Sequence, residues 1–349
     1  MKGVHFLIPG DPDTRTGGYL YDRRIMAELA ARSWSVALHR LDAGFPAPTS
    51  AALAGADAVL AALPERALVV IDGLALGAMP AVVARHRDRL RLVALVHHPL
   101  ALETGLDDAA RQRLYASERA ALAQVRGVIV TSPSTARALA DYGIHPEQCA
   151  VVWPGTDPAL LAEGSGGGEW TLLCVASLTP RKGHAVLFRA LARLSALPWR
   201  LRCAGSADLD PATAAGLQRL VDELELAGRI EFLGQLAEAA LAVEYQRADL
   251  FVLPSYHEGY GMALAEALAR GLPILSTTAG AIPDTVPPDA GLLVAPGDEE
   301  ALAGALARLM TEPELRKRLV AGARAARQTL PDWPTTGTRF AAALEAIPA

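Results

Sequence analysis

Short apolar runs alternate with longer amphipathic stretches along nearly the whole chain, and no other feature narrows the possible folds as far. The runs are too short for helices, and their continuous apolar character suits strands buried on both faces. Their alternation with helix-length segments is the pattern of βαβ units and parallel sheets. The first half predicts strands over 4–8, 36–41, 68–71, 92–96, 127–131 and 150–153, with helices between them, among others over 20–31, 107–124 and 134–142. The turn cluster Trp153-Pro-Gly-Thr-Asp-Pro158 and the run Gly164-Ser-Gly-Gly-Gly168 then interrupt the pattern; the second reads as a flexible linker. The alternation restarts with strands over 172–176, 201–204, 230–233, 250–253 and 274–276. Helices are expected over 185–194, 211–226, 239–247 and 262–270. The stretch 301–349 reads as helix broken by Pro331, Pro334 and Gly337.

A length of 349 residues suits two domains. The expected organisation is a first Rossmann-like domain over 1–158, a linker over 159–169 and a second Rossmann-like domain over 170–330. Two doubly wound domains would place a ligand in the cleft between them, at the carboxyl ends of the strands. With 51% apolar and 20% charged residues the chain is not globally disordered, and its 5% aromatics leave the core to Ala, Leu and Val. A net charge of -5 shows no basic footprint, so nucleic acid is not an expected partner. Cys149, Cys174 and Cys203 are scattered without a C-x-x-C, which points to a reducing compartment rather than a disulfide scaffold. The run 4–8 is closed by Pro9-Gly10, too short for a signal-peptide core. Asp72, Gly73, Gly77 and Pro80 break the most apolar longer stretch, 67–84, so no membrane span is expected. A soluble, cytoplasmic protein is the expectation.

Several segments carry chemistry. Gly17-Gly18 follows the first strand and precedes a helix, where backbone N–H groups and the helix N-terminus favour phosphate; a flexible first loop is the plainer alternative. Lysine is scarce, only Lys2, Lys182 and Lys317 against 30 arginines, so Lys182 in Pro180-Arg-Lys-Gly183 stands out. Two cations at a helix N-terminus are unfavourable unless an anion lies between them. A diphosphate would resolve the conflict; a solvated basic turn is the other reading. The segment Ser255-Tyr-His-Glu-Gly-Tyr-Gly-Met262 follows a strand, and Gly259 and Gly261 bracket a turn able to bind hydroxyls or phosphate at a helix start. Glu258 precedes that helix. Glu266 lies inside it, aimed at its N-terminus, unless it merely pairs with Arg270 four residues on. His97, at a strand end, suits a sugar hydroxyl or is a surface histidine. Asp208-Leu-Asp210 resembles a cation-binding D-x-D, yet Asp210-Pro211 reads as a helix cap. The arginine-rich run 85–91 closes a helix and at most hints at peripheral contact with anionic lipid.

Glu258 and Glu266, with seven residues between them, resemble the E-x7-E signature of the family-four retaining glycosyltransferases of the GT-B fold. The Gly17-Gly18 loop, His97, Trp153-Pro-Gly-Thr-Asp157, Pro180-Arg-Lys-Gly183, Gly280-Ala-Ile-Pro-Asp284 and the 291–298 segment follow the family's order over nearly the whole chain. The resemblance implies an α/β, GT-B architecture: two doubly wound Rossmann-like domains, the first binding acceptor and the second nucleotide-sugar. The segment 331–349 would cross back to the first. It implies that Glu266 holds the ribose hydroxyls and Glu258 a hydroxyl of the donor sugar. Backbone groups of Gly259, Tyr260, Gly261 and Met262 would contact sugar and phosphate, and those of Gly17 and Gly18 the diphosphate. Lys182, with Arg181, would neutralise the leaving diphosphate, and His97 would sit near the reacting carbon. One departure is Ala176-Ser177, where the family often has Gly-Arg with a phosphate-binding arginine; its loss leaves the cationic work to Arg181 and Lys182.

The expected activity is hexose transfer from a nucleotide-sugar, UDP favoured and GDP-mannose next, with retention and without a metal. No cofactor is expected, the nucleotide-sugar being a substrate. The acceptor stays open between a soluble saccharide, a small molecule and a lipid-linked one, with the loops around 99–105 expected near it. A double-displacement route would need Glu258 as nucleophile. A nucleotide-sugar epimerase of the same fold and a catalytically silent nucleotide-sugar-binding subunit are the competing readings; a phosphorylase would need a longer chain.

Overall fold

The computed structural model describes residues 2–348. These form two compact units, 2–155 with 331–348, and 156–330.

The first unit is built on strands β1 (Gly3–Pro9), β2 (Ser35–Leu41), β3 (Leu68–Asp72), β4 (Arg91–Val96), β5 (Gly127–Val130) and β6 (Cys149–Val151). All pair in parallel, in the order β2-β1-β3-β4-β5-β6. Its helices are α1 (Gly17–Ala31), α2 (Ser50–Ala62), α3 (Gly73–Leu76), α4 (Pro80–His86), α5 (Asp108–Leu122) and α6 (Pro133–Ala138). The helix expected over 134–142 gives way after Ala138 to a 3-10 turn, Leu139–Tyr142, ended by Gly143 at φ +83°.

The second unit carries β7 (Trp170–Val175), β8 (Trp199–Ala204), β9 (Ile230–Gly234), β10 (Leu250–Leu253), β11 (Ile274–Thr277) and β12 (Gly291–Val294). Their order is β12-β11-β10-β7-β8-β9, again all parallel. Helices α7 (His184–Ala192), α8 (Pro211–Glu223), α9 (Glu238–Arg247), α10 (Met262–Ala269), α11 (Ile282–Thr285), α12 (Glu299–Thr311) and α13 (Pro313–Ala326) cover it. Helix α14 (Trp333–Glu345) returns to the first unit.

The central strands are apolar throughout because helices cover both faces: Leu250–Leu253 is completely buried. In each sheet the strand order reverses once, between β1 and β3 and between β7 and β10. Crevices at such reversals, at the carboxyl ends of the strands, are where doubly wound sheets bind ligands. Gly17-Gly18 and His97 follow β1 and β4, and Asp72 ends β3; the Pro180–Gly183 turn and Ser255–Glu258 follow β7 and β10.

Two breaks expected from composition are absent. Pro334 occupies the first turn of α14, where its missing N–H has no helical partner to lose. Gly337 lies inside α14, where a Cβ would come 2.5 Å from the Glu28 Cβ on α1. The glycine permits close helix packing instead of ending the helix. Phe340 stacks on Phe6 with ring centroids 6.2 Å apart, and Thr336 Oγ1 donates to the Trp153 carbonyl at 3.0 Å, both inside the first unit.

The glycine-rich segment is strapped down. The amides of Ala162 and Glu163 donate to the carbonyls of Arg270 and Gln246, both at 2.9 Å, and Ser165 N donates to Asp249 Oδ1 at 3.0 Å. Gly164 takes φ +79° against Asp249. Its glycines serve backbone geometry rather than flexibility.

Candidate active site

In the second unit, the Pro180–Gly183 turn meets the segment after β10. Gly183 adopts φ +71°, and a Cβ there would overlap the Pro254 carbonyl. Only glycine lets the turn lie against the end of the strand. The contact is tied by Tyr256 N donating to the Arg181 carbonyl at 2.7 Å. Lys182 Nζ is thereby carried to 2.7 Å from Glu258 Oε1, which also accepts from Ser255 Oγ at 2.6 Å. Arg181 Nη1 donates to the His257 carbonyl at 2.7 Å and stands 3.7 Å from Glu258 Oε2.

The anion demanded by the two cations is, in this structure, Glu258. Burial on its own would raise the Glu258 pKa; the charges of Lys182 and Arg181 and the hydrogen bonds from Lys182 and Ser255 outweigh it and hold the carboxyl down at about 2. Burial draws the Lys182 ammonium below its usual range, against the pull of Glu258. Behind Glu258, Gly280 at φ +56° lets the Ala281 amide reach the Glu258 carbonyl at 2.8 Å.

Helix α10 opens on Gly261 in the left-handed region, φ +86°. The amides of Met262 and Ala263 in its first turn make no hydrogen bond among the described residues. Such a turn offers free donors and the positive end of a helix dipole. Gly259 and Tyr260 lead into it, and the Tyr260 carbonyl accepts from Thr285 Oγ1. Glu266 is held by Tyr245, whose hydroxyl donates to Oε2 at 3.0 Å. Burial raises its pKa, with that hydrogen bond and Arg270 opposing. Arg270 bonds the Glu266 backbone carbonyl at 2.9 Å and lies over the Tyr245 ring. The i,i+4 pairing of side chains considered from the sequence is thus replaced by a contact to the main chain.

In the first unit, His97 lies beside Gly17-Gly18: a Cβ on Gly18 would sit 3.3 Å from the imidazole Cδ2. His97 Nε2 is 3.2 Å from Asp22 Oδ1 and 3.6 Å from Asp72 Oδ2. The amides of Gly17 and Gly18 open the 15-residue helix α1 and make no hydrogen bond among the described residues.

Residues 4–160 match the family described as Glycosyltransferase Family 4, and residues 162–326 the family described as Glycosyl transferases group 1. A curated relative, the MMP alpha-(1->4)-mannosyltransferase of Mycolicibacterium hassiacum, is 31% identical over 296 residues, 79% of this chain and 70% of that protein. The chain belongs to the family-four glycosyltransferases.

The D-inositol 3-phosphate glycosyltransferase of Thermomonospora curvata is 31% identical over 61% of this chain and 55% of its own length. Among solved structures, sucrose-phosphate synthase from Thermosynechococcus elongatus superposes with a TM-score of 0.82 at 23% identity, covering 98% of each chain. Alr3699/HepE of Anabaena, solved with UDP and glucose, gives 0.77 at 18% identity over 98% of this chain and 99% of that one. The fold is GT-B and the chain is a glycosyltransferase.

Within this family-four chain, other candidate features resolve into ordinary structure. Asp210 caps α8, accepting from Thr213 N at 2.9 Å. The arginines of 85–91 are spent inside the first unit: Arg85 and His86 on Asp57, Arg87 on Gln124, Arg89 on the carbonyls of Leu60 and Leu63, and Arg91 on that of Ile347. Among the described residues no helix is long and apolar enough to cross a membrane. Asp22, Asp72, Ser255 and Tyr245 were not legible as site residues. Their partners lie 21 or more residues away, except for Ser255, three residues before Glu258 in a motif otherwise carried by its glutamates and glycines.

Proposed function

We propose that the enzyme transfers a hexose from a nucleoside-diphosphate sugar, UDP favoured and GDP next, to an acceptor hydroxyl with retention at the anomeric carbon. The observation that carries this reading is the Lys182–Glu258–Ser255 cluster at the sheet reversal, beside the open first turn of α10. UDP is favoured because Alr3699/HepE was solved with it, and a mannosyl donor is second because the Mycolicibacterium relative is named a mannosyltransferase.

Departure of a nucleoside diphosphate builds negative charge, which fixed donors stabilise most effectively where water is excluded. Lys182, Arg181 and the amides opening α10 supply such donors without a metal ion. Glu266 holds the ribose and Glu258 a hydroxyl of the sugar; within the first unit, His97 and the amides of Gly17 and Gly18 suit sugar and phosphate oxygens. Glu258 makes a poor nucleophile: its Oε1 already accepts from Lys182 and Ser255, and a carboxylate with so low a pKa is weakly basic. The acceptor hydroxyl therefore attacks from the face the diphosphate leaves, and the departing oxygen takes its proton.

The test is a thermal-shift screen with UDP, GDP, ADP and dTDP, each with and without EDTA, followed by NMR of the product's anomeric configuration. A ligand at 100 times its Kd adds about 2.7 kcal/mol. One stabilising nucleotide, indifferent to EDTA, and a retained anomer support the proposal. No shift with any nucleotide, or an inverted product, overturns it.

A further inference from the structure

We propose that Asp22 is a positioning residue for His97, gripping the charged imidazole through Nε2 so that Nδ1, across the ring from the Cδ2–Nε2 edge that faces Gly18, presents a fixed N–H donor. The inference rests on the reading of the first unit given above and deepens it: the group that Nδ1 meets is a phosphate or hydroxyl oxygen of a bound substrate.

Asp22 is wholly buried on α1. Its Oδ1 lies 3.2 Å from His97 Nε2, and its Oδ2 is buried without a hydrogen-bond partner among the described residues. A buried carboxylate with an orphaned oxygen is costly in a helix that could carry an apolar residue there. Its one strong hydrogen bond goes to the ring. Asp72 stands farther from Nε2, at 3.6 Å, and its Oδ1 is engaged by the Leu74 amide at 2.8 Å. The ring is held on other sides as well: Tyr21 meets it edge-on, centroids 5.5 Å apart at 83°, and Gly18 closes against Cδ2. Among the described residues no hydrogen bond reaches Nδ1.

An imidazole bonded through Nε2–H leaves Nδ1 an acceptor when neutral and a donor when charged. Burial pulls the His97 pKa down, but the charge and hydrogen bond of Asp22, with the charge of Asp72, outweigh it and raise it. Burial and the charge of Asp22 push Asp72 up to about 7. The other titratable groups here are Tyr19, whose hydroxyl donates to the Pro9 carbonyl, and Tyr21, whose hydroxyl donates to that of Val152. Burial raises both phenols, so they stay neutral, and His97 and Asp72 are the two groups that answer to Asp22; the resonances of His97 separate its titration from that of Asp72.

The test uses the full chain with labelled histidine, His97→Gln to assign its resonances, and the variants Asp22→Asn and Asp22→Glu. Asp22→Asn should lower the His97 titration midpoint by about one pH unit or more. Turnover should fall about tenfold at pH 8 and less at pH 6, where the ring regains its proton, with donor KM little changed. Asp22→Glu should restore part of the midpoint. An unchanged His97 titration in both variants overturns the proposal. So does an equal loss of turnover at both pH values, or a set of His97 resonances that micromolar Mn2+ broadens only when Asp22 is intact, which would make the cluster a metal site. If the wild type transfers no sugar, the proposed function fails while the titration still decides the role of Asp22.

Discussion

Lys182 and Glu258 stand 76 residues apart in the chain and 2.7 Å apart in space, and each is the other's main reason for tolerating burial. Removing one partner leaves an uncompensated buried charge, at a cost of about 3–5 kcal/mol. Lys182→Met should therefore destabilise the second unit by that order in urea unfolding. Adding Glu258→Gln should recover much of the loss. Turnover should stay low in both if Lys182 serves the leaving group as proposed. Recovery of turnover along with stability would show that the pair is structural only.

The same pair makes stability depend on acid. The Glu258 carboxyl falls from an ordinary 4.5 to about 2 on folding, so its contribution is complete above 4.5 and is lost as pH falls toward 2. In Glu258→Gln that part of the acid dependence should vanish. Unfolding curves of both proteins between pH 2 and 6 check it.

Glu118 behaves in the opposite sense. Burial pushes its carboxyl up to about 8, against the Leu100 amide that donates to Oε2 at 2.8 Å. The folded state holds the proton more tightly than the unfolded one, so stability present below about 4.5 is lost as pH rises toward 8. Glu118→Gln, which mimics the protonated acid, should flatten the decline of stability over that range, by up to several kcal/mol. Denaturant titrations at pH 5 and pH 8.5 read the difference.

Gly183→Ala should damage both fold and site, since the new Cβ overlaps the Pro254 carbonyl in a left-handed conformation. A loss of at least about 1–2 kcal/mol follows from the backbone alone. Nucleotide affinity should fall as Lys182 is displaced. Gly228→Ala, where a Cβ meets nothing within 4 Å, is the control and should stay near wild type.

Tyr245→Phe removes the hydroxyl that holds Glu266. The expected result is a nucleotide Kd raised several-fold, matching a hydrogen bond worth about 1 kcal/mol, with kcat little changed. Calorimetry with UDP and GDP measures it.

The buried strands were readable because residues such as Leu250–Leu253 are apolar on both faces. Strand β12 is not legible as a strand: it is a four-residue edge strand with only Gly291 fully buried, so its alternation is weak. Gly337 misled because composition reports the cost of glycine in a helix but not the neighbour, Glu28, that needs the space. Glu258, Glu266 and Lys182 stand out as candidates through motif spacing, and the fold brings Lys182 onto Glu258. Asp22 does not stand out, since an acid in an amphipathic helix ordinarily faces water, and only the fold brings it to a histidine 75 residues away.

The chain leaves the first unit at residue 155 and returns to it at 331, so the second unit is an insertion within the first. On the ribosome, the second unit holds every strand of its own sheet before α14 exists. The other half must wait for that helix, whose Phe340 and Trp333 close over Phe6 and Tyr21. Of the two units, the one begun first is thus completed last, and a nascent chain stalled before residue 331 would carry one finished half and one open core.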